Sequence, residues 1–240
     1  MPYTRILLKL SGEALGGEKG YGFDPATLDT VASGIADAAR TGVQIGIVVG
    51  GGNIFRGQDS IIASDRVNAD QMGMLATYIN ALALKGAFER AGLACTALGA
   101  LGIPGVVESF NAETARKLLS EGQVVVFAGG TGSPYFTTDT AAALRALEIK
   151  ADALIKATKV NGIYDKDPVG HPDAVFFPEL DYDQVLNRNL KVMDLTAISI
   201  CRDNGLTVRV INIREPGTLM RLLAGETVGS IVTARRDSHD

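Results

Sequence analysis

The chain has 240 residues, 46% of them hydrophobic and 21% charged, the balance of an ordinary folded globule and not of a disordered tail. Its formal net charge of -4 gives no general attraction to a nucleic-acid backbone, so nucleic acid is not an expected partner. No apolar run approaches the roughly 18 residues of a membrane-spanning helix, and residues 1–15 carry Lys9 inside their apolar stretch with no small-residue cleavage site, so no membrane is expected and the cytoplasm is.

Arg5 to Leu10 (RILLKL) reads as a first strand, and residues 11–23 are too interrupted by glycine to continue as helix. Asp24-Pro25 is a capping residue followed by a proline suited to a first helical position, and Leu28, Val31 and Ile35 then share one face of a helix ending near Arg40. Residues 45–49 form a continuous apolar run that opens into Gly50-Gly51-Gly52-Asn53, as expected of a strand buried on both faces. Met72, Leu75, Ile79, Leu82 and Phe88 predict one apolar face of a long helix, and residues 94–98, 124–127, 153–155 and 208–211 predict further strands. This alternation predicts an α/β fold with a mostly parallel sheet between helices, with ligands beyond the carboxyl ends of its strands. There is no internal repeat and no convincing linker, so one domain is expected over residues 1–240. Residues 165–178 are the loosest stretch, read as a lid or hairpin. Cys95 and Cys201 lack CxxC spacing and a nearby histidine cluster, so they read as buried thiols, not as metal ligands or a disulfide.

Four segments carry chemistry. In Lys9-Leu10-Ser11-Gly12 a lysine stands near the end of an apolar strand; it either snorkels at a sheet edge or clamps phosphate oxygens together with neighbouring amides. In Gly50-Gly51-Gly52-Asn53-Ile54-Phe55-Arg56-Gly57 the glycines admit a close approach of backbone N–H groups to phosphate, and an arginine fork follows; a purely structural turn is the plainer alternative. Neither GxxxxGK[ST] nor GxGxxG occurs, which disfavours P-loop kinases and Rossmann dehydrogenases. Gly129 to Asp139 (GGTGSPYFTTD) offers hydroxyls and glycines for a polar ring and a phosphate, while Asp139 either caps the next helix or orients the clamp lysine. Lys156 to Pro168 (KATKVNGIYDKDP) contains Asn161-Gly162, a hairpin-turn dipeptide, with basic and aromatic residues that either cover a nucleotide or form a solvated surface hairpin. His171 and His239 lie in polar, loop-like contexts, so a Ser/His/Asp hydrolase has no support.

Taken in order, RILLKLSGEAL, VVGGGNIFRG, DQMGMLAT, GGTGSPYFTTD, KATKVNGIYDKDP and LKVMDLTA closely resemble the bacterial UMP kinases of the amino-acid kinase family, over nearly the whole chain. The resemblance implies a three-layer αβα sandwich, with residues 1–155 mainly binding UMP and residues 156–240 mainly binding ATP. It implies transfer of the ATP γ-phosphoryl group to UMP in pyrimidine nucleotide (CTP) biosynthesis, with Mg²⁺ carried by ATP and no direct protein ligand to the metal.

By the same resemblance Lys9, Arg56 and Asp139 are the catalytic set, Lys9 stabilising the transition state and Arg56 lying between donor and acceptor phosphates. Lys9, Leu10, Ser11, Gly12, Gly52, Arg56, Thr158, Tyr164 and Asp167 match ATP contacts. Gly51, Asp70, Thr131, Gly132, Ser133, Pro134, Tyr135, Phe136, Thr137 and Thr138 match the UMP side, with Asp70 taking the ribose hydroxyls. Asp194 matches a functional acidic position of unassigned role. Ser133 departs from the Asn found in many relatives, which bears on base-edge contacts. Gly17, Glu18, Lys19, Gly20, Tyr21 and Gly22 match the segment tied to GTP activation, and the family implies UTP inhibition and a homohexamer. A carbamate or amino-acid kinase of the same fold, or a non-catalytic nucleotide-binding storage protein, are the alternatives; Asp70 argues against the first, and the combination of Lys9, Arg56 and Asp139 against the second.

Overall fold

The computed structural model describes residues 3–55 and 65–234. The first strand, β1 (Arg5–Leu10), shows how the layers arise. Side chains alternate across a strand, so Ile6, Leu8 and Leu10 face one way and Leu7 and Lys9 the other. The first set packs with Leu28, Ala32 and Ile35 of α1 (Pro25–Arg40) and with Ala81, Leu84 and Phe88 of α2 (Arg66–Arg90). Leu7 packs on the opposite face with Ala115 and Leu119 of α3 (Ala112–Ser120), Ala142 and Ala146 of α4 (Thr138–Glu148), and Ala197 and Ile198 of α6 (Leu195–Asp203). Two cores on the two faces of one sheet make the three-layer αβα sandwich expected from the sequence.

The remaining strands of that sheet are β2 (Gln44–Val49), β3 (Cys95–Gly99), β4 (Glu108–Ser109), β5 (Val124–Ala128), β6 (Ala153–Thr158), β9 (Glu179–Asp181), β10 (Thr207–Asn212) and β11 (Ser230–Thr233). They run β4-β3-β5-β2-β1-β6-β10-β11-β9, and every pair is parallel except β10 with β11. β1 lies between β2 and β6, so the chain winds outward in both directions from it. A crevice opens at such a switch point, past the carboxyl ends of the strands. Helices α5 (Tyr182–Asn187) and α7 (Thr218–Leu223) complete the covering layers. Both cysteines are buried free thiols, and burial pushes each up to about 12. No helix among the described residues is long and apolar enough to cross a membrane.

The structure differs from expectation in three places. Residues 11–23 hold two tight 3₁₀ turns, Gly12–Leu15 and Gly17–Lys19, short enough to tolerate the glycines that stop an α-helix. Asn161-Gly162 is not the turn of a two-residue hairpin: it feeds β7 (Ile163–Tyr164), which pairs antiparallel with β8 (Phe176–Phe177) across the loop of residues 165–175. Gly162 is required there because its φ is +150° and a side chain would run into Ser230 and Phe176. The third difference lies in α2. Leu75, Ile79 and Leu82, expected to share one apolar face with Met72 and Phe88, are 57%, 49% and 38% exposed, whereas Phe88 is fully buried. The helix instead buries Ala69, Ala76, Thr77, Asn80, Ala81, Leu84 and Phe88. Small and polar residues let its backbone approach the glycine loops, a packing that a hydrophobic stripe does not reveal.

Candidate functional site

The centre of the crevice follows from strand register. Lys9 on β1 is paired with Lys156 on β6, and both lie on the face covered by α4, as Leu7 and Leu154 do. Two ammonium groups side by side under a helix repel one another unless an anion intervenes. Asp139, in the first turn of α4, supplies it: Lys9 Nζ is 2.9 Å from Oδ1 and Lys156 Nζ is 2.8 Å from Oδ2. Lys156 also donates to the carbonyl of Val192 at 2.6 Å. Burial alone would raise the Asp139 pKa, but the charges of Lys9 and Lys156 and their hydrogen bonds outweigh it and hold the carboxyl below the usual carboxylate range. For Lys156 burial wins over the attraction of Asp139, with Lys9 adding to the depression, and its pKa lies below the usual lysine value. The cluster keeps one net positive charge, set in low-dielectric surroundings at the rim of the sheet.

Asp139 does not cap α4. Thr137 does, its hydroxyl oxygen accepting from the N–H groups of Asp139 at 3.0 Å and Thr140 at 3.4 Å, which leaves the Asp139 carboxylate for the lysines. Asp194, for which the sequence suggested no role, caps α6 by accepting from the Ala197 N–H at 2.9 Å. It also accepts from the hydroxyls of Thr137 and Thr140, so one carboxylate joins the N-termini of α4 and α6.

Thr137 and Thr138, the residues before Asp139, line a cleft of about 390 Å³. Gly51, Gly52, Asp70, Thr131, Ser133, Phe136, Thr137 and Thr138 line it, together with Phe55, Arg66, Met74 and Thr77. Gly52 thus lies beside Gly51 in this cleft, away from Thr158, Tyr164 and Asp167. The Asp70 carboxylate is fixed by Arg66 Nε at 2.8 Å and by the N–H of Tyr135 at 2.7 Å. Tyr135 holds a left-handed φ of 71°, unusual for a side chain of its size, and the Asp70 bond anchors it there. Gly132 and Pro134 belong to the same loop, where the Gly132 N–H bonds the Gly129 carbonyl at 2.9 Å.

A second cleft, of about 620 Å³, is lined by Lys156, Thr158, Tyr164, Asp167, Lys191 and Val192, among others. β7 and the loop after it form one wall, and the Tyr164 ring is backed by Phe176 of β8 with centroids 5.3 Å apart. Leu10, Ser11 and Gly12 continue β1 beyond Lys9, and Gly12 admits no side chain because a Cβ would stand 2.5 Å from both Asn53 Oδ1 and the Gly50 carbonyl. Residues 17–22 form an exposed bend joined to the glycine loop at Gly22, whose N–H bonds the Asn53 carbonyl at 2.7 Å. Arg56 lies outside the described residues.

Sequence reasoning placed Lys156 in the segment that covers a nucleotide but gave it no part beside Lys9 and Asp139, although its signal was the one that exposed Lys9: a single lysine near the end of an otherwise apolar strand, ALIKAT beside RILLKL. It also missed Thr77 and Asn80, which look like ordinary helix residues until α2 is seen lying on the glycine loops.

A mostly parallel sheet whose switch point carries two lysines bridged by an aspartate, with one cleft lined by Lys156 and another lined by the two residues before Asp139, offers positive charge where anionic groups could bind. Residues 4–212 match the Amino acid kinase family, and the chain belongs to it. Among its relatives are uridylate kinases of Colwellia psychrerythraea, 48% identical over 98% of this chain and 95% of that protein, and of Alcanivorax borkumensis, 51% identical over 97% and 92%. The crystal structure of a UMP kinase from Bacillus anthracis superposes with a TM-score of 0.94 at 36% identity, covering 98% of both chains.

Proposed function

We propose that this protein is an ATP-dependent UMP kinase that makes UDP for pyrimidine nucleotide (CTP) synthesis, with UMP in the smaller cleft and ATP in the larger. The observation that carries the reading is the bridged set of Lys9, Asp139 and Lys156, with Lys156 lining the larger cleft and Thr137 and Thr138, next to Asp139, lining the smaller. An oxygen of the UMP phosphate attacks the γ-phosphorus as the bond to the ADP oxygen breaks. The acceptor is already an anion, so the reaction needs no general base, and catalysis rests on positioning and on cations and amides that meet the migrating charge. Lys9 and Lys156 face that charge, Asp139 keeps both ammonium groups in place, and Arg56 is assigned to the space between the phosphates. Asp70 accepts the ribose hydroxyls of UMP, and Thr131 to Thr138 surround the base and phosphate. Leu10, Ser11 and Gly12 meet the ATP phosphates, with Thr158, Tyr164 and Asp167 around the adenosine.

Among the described residues no group of three or more His, Cys, Asp or Glu side chains could hold a metal. The central carboxylate is engaged by two ammonium groups, so Mg²⁺ would be carried by the ATP phosphates and would neutralise their oxygens there. Residues 1–155 and 156–240 are read as UMP-side and ATP-side lobes of one domain. We further assign the exposed stripe of Leu75, Ile79 and Leu82 to contact between copies in a homohexamer in the cytoplasm, and residues 17–22 to a response to GTP, with UTP as inhibitor.

The purified protein, given Mg-ATP and separately UMP, CMP, dTMP, aspartate or carbamate, is expected to release ADP with UMP far above the others. ADP release with carbamate or an amino acid instead would make it a same-fold kinase of a small acid, a reading the fixed Asp70 carboxylate disfavours. Nucleotide binding with no turnover on any acceptor would make it a storage protein.

A further inference from the structure

Asn53 and Asn80 are buried, at 3% and 0% exposure, directly behind the glycine loop that follows β2. Asn80 donates to the Gly50 carbonyl at 2.6 Å and to Asn53 Oδ1 at 2.7 Å; Asn53 donates to Asn80 Oδ1 at 3.0 Å and to the Gly22 carbonyl at 2.8 Å. Every amide hydrogen of the pair is used, and each side chain both donates and accepts, which no carboxylate or aliphatic group of that size can do. Burying two amides needs this complete pairing, because an unmatched polar group here is costly.

The bond to Gly50 has a directional consequence. In a trans peptide the carbonyl of one residue and the N–H of the next point in opposite directions, and the described chain has no cis peptide. Drawing the Gly50 carbonyl toward Asn80 therefore turns the Gly51 N–H away from the amide pair, and Gly51 lines the smaller cleft. The loop lies close against α2, where a Cβ at Gly51 would stand 2.7 Å from the Gly73 carbonyl and 2.9 Å from Ala76 Cβ. α2 holds a second strand end in the same way, Thr77 Oγ1 accepting from the Gly129 N–H at 2.7 Å.

We propose that Asn80, acting through Asn53 and Gly50, is a positioning residue that aims the Gly51 amide at the acceptor phosphate; this rests on the reading of the smaller cleft as the UMP site. Oriented backbone amides bind phosphate strongly, and a misaligned one is lost to it. The role is chiefly on the acceptor side: the four bonds join Asn80, Asn53, Gly50 and Gly22, none of which lines the larger cleft, and Gly12, on the ATP side, packs against Asn53 and Gly50 without sharing those bonds.

The test is steady-state kinetics of the full chain with Asn80→Ala and Asn80→Asp. Losing one aimed amide should raise the KM for UMP about tenfold while the KM for ATP stays within about twofold. In Asn80→Asp the ionised carboxylate faces two acceptors, and protonation restores one donor. Its KM for UMP, relative to wild type, should therefore fall between about pH 8 and about pH 5.5, whereas that of Asn80→Ala should not. Should Asn80→Asp fail to fold, the KM split in Asn80→Ala decides alone. Equal changes in both KM values, or a lower melting temperature with KM for UMP unchanged, would overturn the positioning role and leave the UMP reading standing. A wild-type protein that neither binds nor phosphorylates UMP would overturn both.

Discussion

Lys9 and Lys156 occupy matching positions on adjacent parallel strands, and Asp139 reaches both from the start of α4. Lys9→Ala should lower turnover by about two to three orders of magnitude, the effect of losing one preorganised donor to a developing charge. Single-turnover measurements with saturating ATP and UMP check it, and a rate within a few-fold of wild type would remove Lys9 from the chemistry. Asp139→Asn tests the bridge. The folded pKa of Lys156 is already lowered by burial, and Asp139 is the group that pulls it back up. Without that anion the lysine loses its proton at lower pH, so the alkaline limb of the kcat profile should move downward. The Asp139 carboxyl is held below its ordinary range, so its contribution to stability is present above the unfolded-state pKa and is lost as pH falls through the folded one. Urea titrations should show Asp139→Asn destabilised at neutral pH by roughly 3 kcal/mol, the cost of leaving buried charges without a partner. The difference should shrink as the medium becomes strongly acidic.

Among the elements, α2 joins most of the site. Its 25 residues span roughly 37 Å at the usual helical rise, enough to carry Asp70 at the cleft and Phe88 in the core. Contact with the glycine loop depends on the absence of side chains. Gly51→Ala would press a methyl group against the Gly73 carbonyl and Ala76, backbone and core atoms that have little room to yield. It should destabilise the protein by about 1–3 kcal/mol, as overpacking does, seen as a lower urea midpoint with an unchanged slope. A midpoint equal to that of wild type would mean that α2 can move away from the loop at no cost. The β7–β8 hairpin contrasts with this junction. It is a two-stranded sheet of its own, apart from the nine-stranded one, so local opening there is expected to be easier than in the central strands.

At the scale of the whole molecule, the stripe of Leu75, Ile79 and Leu82 is the feature a monomer does not explain, since three large apolar side chains follow one another on an exposed helix face. If copies of the chain meet there, Leu75→Glu with Ile79→Glu should lower the mass seen by sedimentation equilibrium while the circular dichroism spectrum is retained. An unchanged mass would place the assembly contact elsewhere.

The sheet was legible because a strand buried on both faces must be apolar throughout, and RILLKL, QIGIVV and VVVFA are unmistakable in that respect. The glycine loops were legible as well, because close approach of a backbone to another group demands glycine wherever it occurs. The edge strands β4 and β9 and the neighbouring β11 were missed, being two to four residues long and without a sustained pattern. The rotation of α2 was not legible, because periodicity groups residues roughly by side and does not report which side meets the core; Phe88 is buried while Leu75, Ile79 and Leu82 are exposed. By itself the sequence determined the layered α/β fold and the strand-end segments that carry polar chemistry. Only the tertiary structure decided that Lys156 stands beside Lys9, that Asp139 bridges the two, and that Asn80 holds Gly50. Those contacts join residues tens to more than a hundred positions apart, and their geometry depends on strand register and helix rotation, which local propensity does not encode.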